Sequence, residues 1–251
     1  MIVAAVPVKD LENAKQRLVP LLSPSERCDL ARAMLEDVLA ALCGAGLDAV
    51  LVVTRDAEVI ELARRFAVAI LEEVENRSHT EAVALAQRDA ARRGARGFLT
   101  IPGDVPLVTA EEIRAVTGAA VPGRGAVFVP SRSGFGTNAA LLTPPDVMPL
   151  KFGEPSFANH LTAARERGVE PTVLRLPGLG LDIDGPDDLP ALVAEGGHTR
   201  SGRLLSAWGF PRRLTSPPHP THNPLTFILS PPRGRGQGEG ERRKGEGDRV
   251  P

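Results

Sequence analysis

The sequence predicts an α/β protein in which a mostly parallel sheet is sandwiched by helices. Short β-branched runs alternate along the chain with segments of helical periodicity. The runs are apolar throughout, as expected of parallel strands that are buried on both faces. With 42% hydrophobic and 24% charged residues among 251, the chain can form one such domain with an appendage.

The predicted elements follow one another in a regular order. The pairs are strand 2–8 with helix 23–46, strand 49–54 with helix 56–66, strand 68–71 with helix 80–94, and strand 97–104 with helix 110–119, before a strand at 126–131. The first helix has the clearest start, because Ser23 and Glu26 form a capping box around Pro24. From "GTNAALLTPP" onward we expect a strand, an irregular loop at 144–155, a helix at 156–167 and two further strands.

The last 57 residues differ in composition from the rest. Residues 195–251 hold 10 Lys+Arg against 5 Asp+Glu, with 10 glycines and 8 prolines, whereas residues 1–194 hold 20 against 26. Such a segment buries too little apolar surface to offset its ordering entropy. We therefore predict a domain at 1–194 and a disordered tail at 195–251. A Gly/Arg-rich tail is compatible with nucleic-acid binding, but a dispensable extension is the favoured interpretation, and no nucleic-acid partner is expected.

Membrane and thiol chemistry are not expected. No apolar run approaches the roughly 20 residues that a membrane span needs, and the apolar start "MIVAAVPVKD" is short and lacks a basic leader. Cys28 and Cys43 fall on one predicted helix, which argues against a disulfide framework and a thiol-rich metal site. The prediction is a cytoplasmic protein with no membrane partner.

Cations follow the first predicted strand. The segment "VPVKDLENAKQRL" places Lys9, Lys15 and Arg17 where the chain leaves the sheet. Lysine and arginine at that edge suit a polyphosphate, although a solvated basic turn fits equally well. Neither G-x-x-x-x-G-K-[ST] nor a G-x-G-x-x-G motif after the first strand is present.

Acidic residues follow two later strands. "IPGDVPLVT" delivers Asp104 to the carboxyl edge of the sheet, as a ligand or as a turn residue. In "LDIDGPDDL", a strand pattern puts Asp182 and Asp184 on one face, about 6.6 Å apart along the chain. Two such carboxylates favour a cation, and oxygen ligands suggest Mg²⁺. Asp187 and Asp188 instead resemble a helix start after a proline.

Two further segments have the character of ligand-binding loops. "GFGTNAALL" offers the polar side chains of Thr137 and Asn138 before an apolar strand. "FGEPSFANH" places Ser156 at a predicted helix N-terminus, which favours an anion. An ordinary N-cap is the alternative for Ser156, and His160 one turn later is interpreted as a polar helix residue.

Taken in order, these motifs resemble the guanylyltransferase family that builds the deazaflavin coenzyme F-420, within the GT-A-like nucleotidyltransferases. The resemblance rests on "PVKDLENAKQRL", "GDVPLVT", "GTNAALLTPP", "FGEPSFANHLTAA" and "LDIDGPDDL", and spans residues 1–193. One departure is "SHTEA", where Thr80 replaces the asparagine of the family's helix-start motif.

The resemblance implies transfer of GMP from GTP to phosphoenolpyruvate or 2-phospho-L-lactate. It implies that Thr137, Gly153 and Ser156 contact the acceptor, and that Asp104, Asp182 and Asp184 hold Mg²⁺. The nucleotide is expected at Pro7, Lys9, Lys15, Arg17 and Thr80, with Lys15, Arg17 and Asp104 as catalytic residues. The expected partners are GTP and a three-carbon phosphoacid, and the assembly considered is a homodimer.

Two alternatives stay open from the sequence. One is a nucleotidyltransferase of the same fold that acts on 3-phosphoglycerate or another phosphorylated acceptor. The other is a non-catalytic binding module whose basic tail carries the function.

Overall fold

The computed structural model of the protein describes residues 1–73 and 78–215. The strands are β1 (Ile2–Pro7), β2 (Ala49–Thr54), β3 (Ala69–Glu72), β4 (Gly97–Thr100), β5 (Gly125–Pro130), β6 (Thr137–Thr143) and β7 (Thr172–Val173). The helices are α1 (Pro24–Gly44), α2 (Ala57–Arg65), α3 (His79–Arg92), α4 (Ala110–Gly118), α5 (Ser156–Arg165), α6 (Pro177–Gly180), α7 (Leu189–Glu195), α8 (Arg200–Ala207) and α9 (Arg212–Thr215). No helix within these ranges is long and apolar enough to cross a membrane.

The strands form one sheet in the order β3-β2-β1-β4-β6-β5-β7. The neighbours from β3 to β4 are parallel, whereas β6 runs antiparallel to both β4 and β5. The prediction of a mostly parallel α/β sheet is therefore confirmed. Because β6 runs in the opposite direction, its first residues lie at the edge where β4 and β5 end, and β6 thereby brings Thr137 to the carboxyl edge of the sheet.

Apolar side chains fill both faces of the sheet. One face packs against α1, α2 and α4, and the other against α3 and α5. Every residue of β1 is buried, which explains its uninterrupted apolar run. The capping box at the start of α1 forms as predicted: the Glu26 amide donates to Ser23 Oγ, and the Ser23 amide donates to the Glu26 carboxylate.

The segment 181–184 does not form the predicted strand, and among the described residues after α5 only β7 joins the sheet. The burial of side chains in this segment still alternates, since Leu181 and Ile183 are buried while Asp182 and Asp184 are partly exposed. The two apolar residues pack under α7 and α8, away from the sheet. A backbone bond from the Ile183 amide to the Asp104 carbonyl, at 3.0 Å, ties the segment to the loop that follows β4.

The folded part of the chain extends past the predicted boundary at Ala194, to residue 215, the last one described. The start of α8 is bound by the buried Asp37 of α1, which accepts from the amides of Arg200 and Ser201 at 2.8 and 2.9 Å. Leu205 of α8 is fully buried. Residues 195–215 therefore complete a core, and the rest of the predicted tail lies outside the described residues.

Candidate active site

The carboxyl edge of the sheet gathers one lysine and three carboxylates. Lys15 Nζ lies 2.6 Å from Asp104 Oδ2 and 3.1 Å from Asp184 Oδ1. Burial alone would lower the pKa of the Lys15 ammonium, but the charges of Asp104 and Asp184 outweigh it and raise that pKa. Lys15 is therefore a fixed positive charge, with a side chain that is 10% exposed.

The backbone at Lys15 has an unusual conformation. Its φ of 54° and ψ of 43° lie in the left-handed region, which costs a non-glycine residue about 1 kcal/mol or more. Three residues later, Leu18 is fully buried in the cluster that also contains Ile183 and Leu205. This burial holds the loop in place, and the loop directs the ammonium toward the two aspartates.

Asp182 lies beside this ion pair and, within residues 1–73 and 78–215, forms no ion pair itself. Its Oδ1 accepts from Asn138 Nδ2 at 3.1 Å, and Asn138 Nδ2 also donates to the Leu179 carbonyl at 2.9 Å. Burial, together with the negative charges of Asp104 and Asp184, raises the pKa of the Asp182 carboxyl, although the bond from Asn138 opposes this. The cluster thus has more negative charge than Lys15 alone can offset.

Arg17 does not join this cluster closely. Its side chain is 74% exposed, and Nη1 lies 4.0 Å from Asp184 Oδ2. A surface pair at that distance contributes little to stability. The predicted catalytic role of Arg17 therefore has less geometric support than that of Lys15.

A cavity of about 390 Å³ opens beside the ion pair. Its lining includes four of the predicted nucleotide and catalytic residues, namely Pro7, Lys9, Lys15 and Asp104. It also includes His79 at the start of α3, which the sequence reasoning missed although it lies in the quoted "SHTEA". Burial lowers the pKa of His79 to about 4, so the ring is neutral at pH 7.

Thr80 is not among the residues that line the cavity. Its Oγ1 accepts from the Phe152 amide at 2.9 Å, which connects the start of α3 to the loop before α5. The described contacts of Thr80 are therefore structural, and its predicted contact with the nucleotide has no direct support from its position.

The predicted acceptor residues divide into a buried pair and one exposed glycine. Ser156 Oγ lies 3.3 Å from Thr137 Oγ1, and both side chains are buried. Ser156 is the first residue of α5 and its side chain makes no cap bond, so the N-cap interpretation is wrong. Gly153 has a φ of 113°, a conformation that residues with a side chain rarely adopt.

His160 belongs to the same buried group. Its Nδ1 lies 3.0 Å from Thr137 Oγ1, and its Nε2 accepts from the Lys151 amide at 3.1 Å. His160 lies on α5, as predicted, but it is only 1% exposed and its ring faces the buried hydroxyl pair. The contact of His160 with Thr137 had one sequence signal: His160 follows Ser156 by four residues, which places both on one face of the helix.

The carboxylates suit a hard cation, although they do not form a closed cage. In the described ranges, no three or more His, Cys, Asp or Glu side chains are arranged to hold a metal ion by themselves. Mg²⁺ usually binds through one or two carboxylates together with waters and substrate phosphates. Oxygen donors with surplus negative charge at Asp104, Asp182 and Asp184 fit that mode of binding.

The α/β fold of this chain is shared with solved nucleotidyltransferases. A nucleotidyl transferase from Methanothermobacter thermautotrophicus has the same fold, with a TM-score of 0.58 at 19% identity, over 82% of this chain and 99% of that one. The chain matches the family described as "Guanylyl transferase CofC like" over residues 2–219, and it belongs to that family. The predicted fold and family are therefore confirmed.

Relatives of known name support this assignment. A phosphoenolpyruvate guanylyltransferase of Sphaerobacter thermophilus is 44% identical over 202 residues, which cover 80% of this chain and 95% of the relative. A 2-phospho-L-lactate guanylyltransferase of Methanothermobacter thermautotrophicus is 38% identical over 202 residues, covering 80% and 88% respectively. A non-catalytic binding module is thereby set aside in favour of an enzyme.

Proposed function

We propose that this protein transfers GMP from GTP to phosphoenolpyruvate, releasing diphosphate, as a step in the biosynthesis of coenzyme F-420. Family membership and the names of the relatives support guanylyl transfer. Phosphoenolpyruvate is placed before 2-phospho-L-lactate because relatives named for it reach 44% identity, against 38% for those named for the lactate. The observation that carries the proposal is the Lys15 ion pair with Asp104 and Asp184 beside the cavity.

The nucleotide is proposed to bind in the cavity at the end of β1. Lys9 and Lys15 line it and would neutralise phosphate oxygens, while Pro7 forms part of its wall. Arg17 would contribute only after moving from its exposed position, and Thr80 would act through the Phe152 loop.

Mg²⁺ is proposed as the cofactor, held by oxygens of Asp104, Asp182 and Asp184 together with substrate phosphates. When bound, it would supply positive charge at the reacting phosphates. The surplus negative charge at Asp182 supports this placement. Asn138 would orient the Asp182 carboxylate, because it donates to Oδ1 while it is itself anchored on the Leu179 carbonyl.

The acceptor is proposed to bind at Thr137, Gly153 and Ser156. An oxygen of its phosphate would attack the α-phosphorus of GTP, and the bond to the β-phosphate would break as diphosphate leaves. A phosphate is ionised at pH 7, so no side chain has to act as a nucleophile. The chain instead has to bring two anions together, and Lys15 supplies fixed charge for that purpose.

The direct test combines an acceptor panel with a charge deletion. Purified protein with GTP and Mg²⁺ should release diphosphate with phosphoenolpyruvate, and less with 2-phospho-L-lactate or 3-phosphoglycerate. Lys15→Met should lower kcat/KM by about 100-fold or more, the scale of losing one charge-stabilising donor. Arg124→Met is the matched control, since Arg124 is exposed just before β5 begins, at the opposite edge of the sheet.

Two results would contradict the proposal. Absence of diphosphate release with every acceptor would remove the function itself. Activity of Lys15→Met close to that of Arg124→Met would show that the ion pair is not part of the reaction.

A further inference from the structure

A buried chain of hydrogen bonds connects the loop before α5 to the start of β6. It runs from the Lys151 amide to His160 Nε2 at 3.1 Å, and from His160 Nδ1 to Thr137 Oγ1 at 3.0 Å. Ser156 Oγ joins Thr137 Oγ1 at 3.3 Å. The imidazole of His160 stacks on Phe128 at 5.4 Å between ring centroids and meets the edge of Phe152 at 5.2 Å, so the ring is held on several sides.

The Lys151 amide determines which nitrogen of His160 carries the proton. A backbone N–H can only donate, so Nε2 has to accept with its lone pair. Burial lowers the pKa of His160 to about 4, and the ring is therefore neutral at pH 7. A neutral imidazole with an accepting Nε2 carries its proton on Nδ1. His160 consequently donates to Thr137 Oγ1 and cannot accept from it.

This direction leaves the hydroxyl pair with one unused proton. Thr137 and Ser156 have two hydroxyl protons, and the bond between them uses one. Within residues 1–73 and 78–215, the hydrogen bonds of these two hydroxyls go only to each other and to His160. With the opposite tautomer, His160 Nδ1 would accept the second proton and the pair would have none to offer.

We infer that His160 is a positioning residue that makes the Thr137–Ser156 hydroxyl pair a hydrogen-bond donor to the anionic acceptor substrate. The inference rests on the proposed function, in which this pair contacts a phosphoacid. A carboxylate or phosphate oxygen has only lone pairs to offer, so it requires a donor at this place.

The location of the pair favours the acceptor over the nucleotide. Thr137 does not line the cavity at the end of β1. It directly precedes Asn138, whose side chain binds Asp182. Because β6 begins at the carboxyl edge of the sheet, a phosphoacid held by the hydroxyl pair would bind at the same edge as the carboxylate cluster.

The tautomer can be measured on the wild-type protein. Two-bond ¹⁵N–¹H correlation spectra of the histidine rings distinguish a proton on Nδ1 from one on Nε2, and His160→Asn assigns the signal. The expected result at pH 7 is a neutral His160 ring protonated on Nδ1. A proton on Nε2, or a charged ring, would overturn the inference whether or not the enzyme turns over phosphoenolpyruvate.

Two substitutions separate the two bonds of the ring. The amide of asparagine lies near the position of Nδ1 and can still donate to Thr137, whereas the amide of glutamine lies near Nε2 and can accept only from Lys151. His160→Gln should raise the KM for phosphoenolpyruvate about tenfold, equivalent to one hydrogen bond to a charged group. His160→Asn should stay within about threefold of the wild type, and the KM for GTP should change less than about twofold in both.

A double-mutant cycle tests that His160 acts through Thr137. Thr137→Val should raise the acceptor KM about tenfold, and adding His160→Gln should raise it less than about twofold further. Thr162→Val on the exposed face of α5 is the matched control and should leave both KM values unchanged.

Equal effects of His160→Gln and His160→Asn, or full additivity with Thr137→Val, would overturn the inference. An equal rise in the KM for GTP would do the same. Failure of the wild type with every phosphoacid would refute the proposed function instead, and the ring spectra would still decide the tautomer.

Discussion

Asp37 offers the sharpest test of how the C-terminal helices contribute to the domain. Its carboxylate is buried on α1 and accepts three hydrogen bonds from α8: the Arg200 amide at 2.8 Å, the Ser201 amide at 2.9 Å and Ser201 Oγ at 2.7 Å. The perturbation is Asp37→Ala, which removes the acceptor of all three bonds. The amide and the hydroxyl of the buried Ser201 then both lose their partner on α1.

The magnitude follows from those three contacts. Hydrogen bonds to a charged group each contribute about 1.5–3 kcal/mol when their partner stays buried. Arg200 is exposed, so water can replace the acceptor for its amide, whereas Ser201 is 0% exposed and cannot be rehydrated without movement of α8. We expect Asp37→Ala to lower the free energy of unfolding by about 2–4 kcal/mol.

Urea denaturation provides the assay. The single tryptophan, Trp208, directly follows α8, so its fluorescence reports on this helix while far-ultraviolet circular dichroism reports on the whole domain. Asp29→Ala is the matched control on the same helix, because Asp29 is half-exposed and, in the part of the chain that the structure describes, its ion pair is with Arg32 one turn away. It should change stability by at most about 0.5 kcal/mol.

A loss of less than about 1 kcal/mol for Asp37→Ala, or a loss equal to that of Asp29→Ala, would refute the reasoning. It would mean that α8 is not held by the carboxylate. The packing of Leu205 against the cluster beneath the Lys15 loop would then have to account for its docking.

Two other predictions concern the acidic motif and the buried histidine. Asp188→Ala should lower the free energy of unfolding by about 1–2 kcal/mol and lower kcat, because Asp188 Oδ2 accepts from the amides of Asp184 and Gly185. Asp187 is exposed, so Asp187→Asn should change the free energy of unfolding by at most about 0.5 kcal/mol. Equal effects of the two substitutions on urea denaturation and on turnover would contradict this prediction. The pKa of His160 is lowered to about 4, so the neutral ring stabilises the fold above the unfolded value of about 6.5 and this contribution is lost as the pH falls toward 4. Between pH 6 and 5, the free energy of unfolding of the wild type should fall by roughly 1.4 kcal/mol per pH unit because of His160, and His160→Phe should abolish this part of the fall. If the free energy of unfolding of His160→Phe fell with pH as steeply as that of the wild type, the buried neutral ring would be contradicted.

The prediction for the acidic motif refines the sequence interpretation of "LDIDGPDDL". The sequence separates Asp182 and Asp184 from Asp187 and Asp188. In the structure Asp184 pairs with Lys15, whereas Asp188 accepts from backbone amides of its own turn. The structure also distinguishes Asp187 from Asp188, because Asp188 orients the backbone of Asp184 while Asp187 is exposed. Sequence alone could not distinguish neighbours of identical type at a turn.

Local patterns were sufficient for the architecture. The apolar run of β1 and the capping box at Ser23 depend on residues adjacent in the chain, so their physical causes are visible in the sequence. The boundary near Ala194 failed for the opposite reason. Glycine and proline content reports the average tendency of a segment, whereas α8 folds because Asp37, 164 residues before Ser201, accepts its first amides.

The sequence by itself determined the class of this protein: a mostly parallel α/β sheet, the family motifs and the residue types at its carboxyl edge. Only the tertiary structure decided how those residues meet. Lys15 bridges Asp104 and Asp184, which lie 89 and 169 residues away, and His160 reaches Thr137 across 23 residues. Such contacts arise from sheet order and from the packing of buried side chains, which no local pattern specifies.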